Sequence, residues 1–124
     1  MLLADEHKIL REGLAELLGA EPDFRIDGQA EDGCQAVELA EKYRPDVVVM
    51  DINMPGINGI EATRILSRTL PETRIIGLSM HVDPHIAKTM REAGAVAYFS
   101  KGEAAGEPVE AIRACVEKSG PSLD

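Results

Sequence analysis

Asp5 and Glu6, Asp51, Ser79 and Lys101 are the residues of this chain whose types and order suit phosphoryl chemistry. A carboxylate such as Asp51 can attack phosphorus and form an acyl phosphate. A lysine ammonium can hold one phosphoryl oxygen while a serine hydroxyl donates to another. Three carboxylates in a small volume repel one another unless protons or a cation intervene, and oxygen ligands with open water positions suit Mg²⁺. The expected ligands are Glu6, Asp51 and the backbone carbonyl of Asn53, with Asp5 helping directly or through water. Taken singly, each residue has an ordinary reading as a helix cap or a solvated charge. As an ordered set they point to a site.

The elements that must position this set are legible in the apolar pattern. Leu2-Leu3-Ala4 stops at Asp5-Glu6, Val47-Val48-Val49-Met50 at Asp51, Ile75-Ile76-Gly77-Leu78 at Ser79, and Val96-Ala97-Tyr98-Phe99 at Ser100-Lys101. Parallel strands would place all four stops on one sheet edge, outside which ligands of open α/β sheets bind. Between them, Leu10, Leu14, Leu17 and Leu18 repeat as one face of a helix over residues 7–20. Phe24, Ile26, Gly28 and Ala30 alternate with polar residues, as an edge strand does. A second helix spans 33–43, because Arg44 precedes Pro45. A third runs through Ile60, Thr63, Ile65 and Leu66 up to Leu70-Pro71. A fourth starts at the Asp83-Pro84 cap and ends at Gly94, and a last one carries Val109, Ile112 and Val116. Five strands alternating with five helices predict an α/β fold with a doubly wound five-stranded parallel sheet. The edge-like second strand and the wholly apolar third suit the flavodoxin-like strand order 2-1-3-4-5. In that order Asp5, Glu6 and Asp51 meet at the switch point.

At 124 residues the chain suits one domain, here residues 1–124. No apolar stretch is long enough to cross a bilayer and the amino terminus lacks a secretory pattern, so a cytoplasmic place and no membrane partner are expected. The net charge of −9 argues against this domain itself holding nucleic acid. Cys34 and Cys115 fall within helical apolar patterns and are expected to fill core rather than form a disulfide. Neither a P-loop nor a Gly-x-Gly-x-x-Gly segment is present.

These residues resemble the receiver domain of bacterial two-component response regulators, over essentially the whole chain. The segments Leu3-Ala4-Asp5-Glu6-His7, Pro45 through Gly56, Leu78-Ser79-Met80-His81 and Ala95 through Lys101 are similar to those of regulators carrying a LuxR-type helix-turn-helix effector. The resemblance implies that Asp51 accepts phosphate from the phosphohistidine of a sensor histidine kinase, that Mg²⁺ is required, and that Ser79 and Lys101 read the phosphoryl group. It implies further that Tyr98 changes rotamer with Ser79, and that Asn53 and His81 tune the lifetime of the phosphate. DNA would be reached only through a C-terminal effector domain outside these 124 residues, with a homodimer formed on phosphorylation. Ile9, Gly13 and Glu16 share a stripe of the first helix that would dock the kinase, while His7 and His85 are expected to be surface residues.

Two departures from the family pattern stand out. Glu6 occupies the place of a common second aspartate, and Gly102 follows Lys101 where proline is frequent. The implied chemistry is self-phosphorylation and self-dephosphorylation rather than turnover of a substrate. Two alternatives remain at this level. An aspartate-nucleophile phosphatase of the haloacid dehalogenase type would carry a second acid where Asn53 stands, and a receiver-like binding module would never take phosphate.

Overall fold

The apolar runs form a five-stranded parallel sheet in which the strands starting at Gly28, Leu2, Val47, Arg74 and Ala97 lie side by side in that order. The computed structural model describes residues 1–79, 83–100, 110 and 112–114. Its strands are β1 (Leu2–Ala4), β2 (Gly28–Ala30), β3 (Val47–Asp51), β4 (Arg74–Ser79) and β5 (Ala97–Ser100), alternating with helices α1 (Lys8–Gly19), α2 (Gly33–Tyr43), α3 (Gly59–Thr69) and α4 (Pro84–Ala93). Glu110 and residues 112–114 are helical, in keeping with the last helix expected from Val109 and Ile112. Lys101, His81, Cys115 and the rest of that helix lie outside the described residues.

Continuous apolarity in β3 follows from cover on both faces. Val48 and Met50 join Ala36, Ala40, Ala62, Leu66 and Met90 in the core beneath α2, α3 and α4. Val47 and Val49 point the other way, into a core shared with Leu14 and Leu18 of α1 and with Ile112. Side-chain caps start three of the helices: Asp32 accepts from Gln35, Asn58 from Glu61 and Asp83 from His85. Arg44 closes α2 in the left-handed region at φ 49°.

Several expectations need correction. Phe24 to Asp27 are not strand, because the ladder with β1 begins at Leu2 opposite Gly28; Phe24 and Ile26 still pack partly buried on the α1-side core. Leu17 is 52% exposed. The buried side of α1 runs through Arg11, Leu14 and Leu18, and Leu17 falls past its far flank. Cys34 does not fill core: it is exposed at the start of α2, whose inward positions are Gly33, Ala36 and Ala40. Val96 stands just before β5 and is 44% exposed, its amide donating to the Ile75 carbonyl at 2.8 Å.

Candidate functional site

Strand register brings the two key acids together. Ala4 pairs with Met50, so the next residues along, Asp5 and Asp51, leave adjacent strands at the same level. Asp51 is fully buried as the last residue of β3, and Asp5 is only 3% exposed. Each also has one carboxylate oxygen, Oδ2, shut off from solvent. Ser79 ends β4 one step beyond the pairing of Asp51 with Leu78 and is likewise buried. Asp5, Asp51 and Ser79 thus share one sheet edge. The position of Lys101 and that of His81 lie outside the described residues.

The backbone around Asp51 is closely held. The amide of Ile52 donates to the Leu78 carbonyl at 3.0 Å, and that of Asn53 reaches Asp51 Oδ1 at 3.3 Å. The amide of Gly59 donates to the Ile52 carbonyl at 2.9 Å, folding α3 back onto the strand end. Here a glycine is required, because a Cβ at Gly59 would stand 2.1 Å from the Asp51 carbonyl oxygen. Asn53 itself is exposed on the loop.

Asp5 is fixed by a residue that helical periodicity did not single out. The guanidinium of Arg11 is buried, donating from Nη1 to the Asp5 carbonyl at 2.7 Å and from Nε to Gln29 Oε1 at 2.9 Å. One arginine therefore ties α1, the end of β1 and β2 together at the site. His7 is the second such residue. Its amide donates to Asp5 Oδ1 at 2.8 Å and its ring Nδ1 lies 3.0 Å from the same oxygen. Ligand atoms of Asp5, His7 and Asp51 all fall within 4.8 Å of one another. Glu6, exposed, is not a member of that group. The turn made by residues 5–7 puts position 7 over the buried carboxylates, where position 6 was expected.

On the other flank, Tyr98 of β5 lies half-buried over Gly77 of β4 and beside Met90 of α4. A Cβ at Gly77 would be 3.1 Å from the Tyr98 ring and 2.8 Å from the Met90 methyl. The notch at Gly77 makes room for both side chains. A cleft of about 400 Å³, lined by residues such as Phe24, Asp27, Asp46 and Val47, opens at the amino ends of the strands, the edge opposite Asp51. Cavity and acids are at opposite ends of the sheet.

Comparison with known proteins decides what this arrangement is. The family profile of the response regulator receiver domain matches residues 1–113. The chain is a response regulator receiver domain. The receiver is 42% identical over 113 residues to the transcriptional regulatory protein DegU of Brevibacillus brevis, covering 91% of this chain and 48% of DegU. To LiaR of Bacillus subtilis, also a transcriptional regulatory protein, it is 42% identical over 124 residues, covering 100% of this chain and 58% of LiaR. It therefore spans about half the length of these curated relatives. Among solved structures, a LuxR-family two-component response regulator from an Aurantimonas species superposes with a TM-score of 0.84 at 38% identity, over 91% of this chain and 81% of that one. The response regulator domain of Thermotoga maritima CheB gives 0.82 at 32% identity, with 92% of each chain covered.

Receivers of this family are phosphorylation switches that bind Mg²⁺ at an acidic pocket. The donor set of this receiver fits such a cation, since two buried carboxylates on adjacent strands are hard oxygen ligands that gain from charge neutralisation.

Proposed function

We propose that this receiver is the input half of a transcription regulator. Asp51 accepts a phosphoryl group from a sensor histidine kinase, and a LuxR-type DNA-binding effector following residue 124 carries the response. The observation that supports this most is the register that sets Asp5 beside Asp51 at the carboxyl edge of the sheet. Asp51 is the nucleophile; Asp5, Asp51 and the Asn53 backbone carbonyl would hold Mg²⁺, with Glu6 reaching it from the exposed side through water. When bound, the cation offsets the negative charge of the carboxylates and of the entering phosphoryl group.

The protein's own part is positioning. Burial of Asp51 at a strand end fixes the attacking oxygen, and the Asn53 amide orients it. The Ser79 hydroxyl and the Lys101 ammonium are assigned to the phosphoryl oxygens, and Asn53 and His81 to the approach of hydrolytic water. Ser79 drawn toward the phosphoryl group would leave space for Tyr98, whose seat over Gly77 beside Met90 supplies the second packing a two-state switch needs.

Ile9 is 89% exposed, and with Leu17 it flanks Gly13, at which an added Cβ would meet nothing within 4 Å. That open apolar stripe on α1 is where the kinase docks in this reading. No described helix is long and apolar enough to cross a membrane, and the reading assigns the receiver to the cytoplasm.

Incubation with acetyl phosphate and Mg²⁺, followed by intact mass measurement, tests the core of this proposal. Wild type gains one phosphoryl group and Asp51→Asn gains none. Equal gain in both would remove Asp51 as the acceptor, and steady turnover of small phosphate esters would favour the phosphatase instead.

A further inference from the structure

His7 is a surface residue, as the sequence leads one to expect, with 52% of its side chain exposed, and its ring also borders the acidic pocket. Three observations give it a role. Its side chain makes no cap hydrogen bond to α1, although His7 is the N-cap residue, so the helix does not need the ring. Its amide and its Nδ1 both converge on Asp5 Oδ1, at 2.8 and 3.0 Å. Its ligand atom lies within 4.8 Å of those of Asp5 and Asp51. Two ligands on neighbouring corners of an octahedron, each about 2.1 Å from the ion, stand about 3 Å apart. That is the spacing of His7 Nδ1 and Asp5 Oδ1.

We infer that His7 is a nitrogen ligand of this receiver's cation site and biases the site toward later first-row transition cations such as Co²⁺ or Ni²⁺ over Mg²⁺. The inference rests on the reading of the pocket as a divalent-cation site and adds to its oxygen donors. Imidazole nitrogen suits the later first-row ions, whereas Mg²⁺ is held by oxygen and keeps its waters. With no ion bound, Nδ1 faces Asp5 Oδ1 at 3.0 Å. An ion held between the two residues would replace that contact and take the Nδ1 lone pair as its nitrogen donor. The exposed half of the ring leaves it room to adjust to either cation.

Isothermal titration of MgCl₂ and of CoCl₂ into wild type, His7→Ala and Asp51→Asn, each checked for folding by circular dichroism, tests this. The expected result is a loss of at least about tenfold in Co²⁺ affinity in His7→Ala, with Mg²⁺ affinity changed by less than about threefold. The visible spectrum of bound Co²⁺ should change with the same substitution. If His7 merely steadied Asp5, both cations would weaken alike, and an unchanged ratio of Co²⁺ to Mg²⁺ affinity in His7→Ala overturns the proposal. Mg²⁺ binding that is lost in Asp51→Asn alongside such an unchanged ratio removes His7 and leaves the cation site standing. Folded wild type that binds neither cation overturns both.

Discussion

Replacing Gly59 with alanine should disable the acceptor without touching its chemistry. The added methyl carbon would start 2.1 Å from the Asp51 carbonyl oxygen and 2.8 Å from the Ile52 Cα, where separations under 3.0 Å essentially never occur. Relief requires a shift of about 1 Å between the start of α3 and the end of β3, and both partners are backbone. Overpacking of this kind costs about 1–3 kcal/mol. Against it stands a gain of about 0.5–1 kcal/mol for alanine over glycine in a helix. The net loss should be about 1–2 kcal/mol, or a fall in Tm of about 3–10 °C for a domain of this size. Function should suffer more than stability, because misplacing a reacting group by about 1 Å can cost a factor of about 100 in rate. Gly13→Ala is the matched control: a methyl there meets nothing within 4 Å, so it should stabilise α1 by about 0.5–1 kcal/mol and leave phosphorylation unchanged. Thermal melts and the rate of acetyl phosphate labelling read both variants. A Gly59→Ala protein that melts and labels like wild type would refute the reasoning.

Arg11→Met keeps the stem of the side chain but removes the buried donors to the Asp5 carbonyl and Gln29, and should cost about 2–4 kcal/mol in a urea melt. Arg113 pairs with Glu21 at 2.8 Å and with Asp23, while its guanidinium lies over the Phe24 ring. Its hydrogen bond holds the Asp23 carboxyl below the ordinary value of 3.8. A depressed folded-state value means that the stabilisation is present above pH 3.8 and is lost as pH falls through the lowered value. The Tm gap between wild type and Arg113→Gln should therefore be flat from neutral pH down to about pH 5 and close in stronger acid. Ile9→Asp should leave acetyl phosphate labelling and Tm at wild-type levels while slowing transfer from the kinase; unaltered transfer would move the docking surface elsewhere.

Fold and site differ in how far composition and spacing reveal them. The strand order was legible because β3 is apolar from Val47 through Met50 and β2 is not, a direct record of which strand has two covered faces. Asp5, Asp51 and Ser79 were legible because each ends an apolar run, and parallel register does the rest. What escaped was decided by turns and by long side chains. Arg11 reads as a polar interruption of a leucine stripe, yet its guanidinium reaches a carbonyl only six residues back. His7 is exposed, as expected, but its contact with Asp5 escaped because that partner lies two residues earlier, a separation that helix and strand periods do not register but a tight Asp turn does. Leu17 and Cys34 went astray for a related reason: the edge of a buried stripe depends on how a helix is rolled against the sheet, which the spacing of apolar residues does not settle.

Two carboxylates with ligand atoms inside 4.8 Å have an energetic consequence for the whole domain. At an effective dielectric of about 20, charges at that separation repel by about 3–4 kcal/mol, a large share of the roughly 5–15 kcal/mol that holds a domain together. Such a pair persists because cationic groups or a bound cation offset it, so whatever changes the charge in the pocket acts on folding and on output through the same term. The architecture divides that stress unevenly. Asp51 is locked into a central strand and held from behind by Gly59, whereas Glu6, His7 and Asn53 are exposed residues beyond the strand ends. In the proposed switch, a change of charge at the acceptor would leave Asp51 in place and be taken up by those loops and, on the far side of β4, by the half-buried β5, where Tyr98 rests in the notch at Gly77. In such a switch, a rigid acceptor with yielding surroundings would turn a local electrostatic event into a displacement of the α4–β5 face.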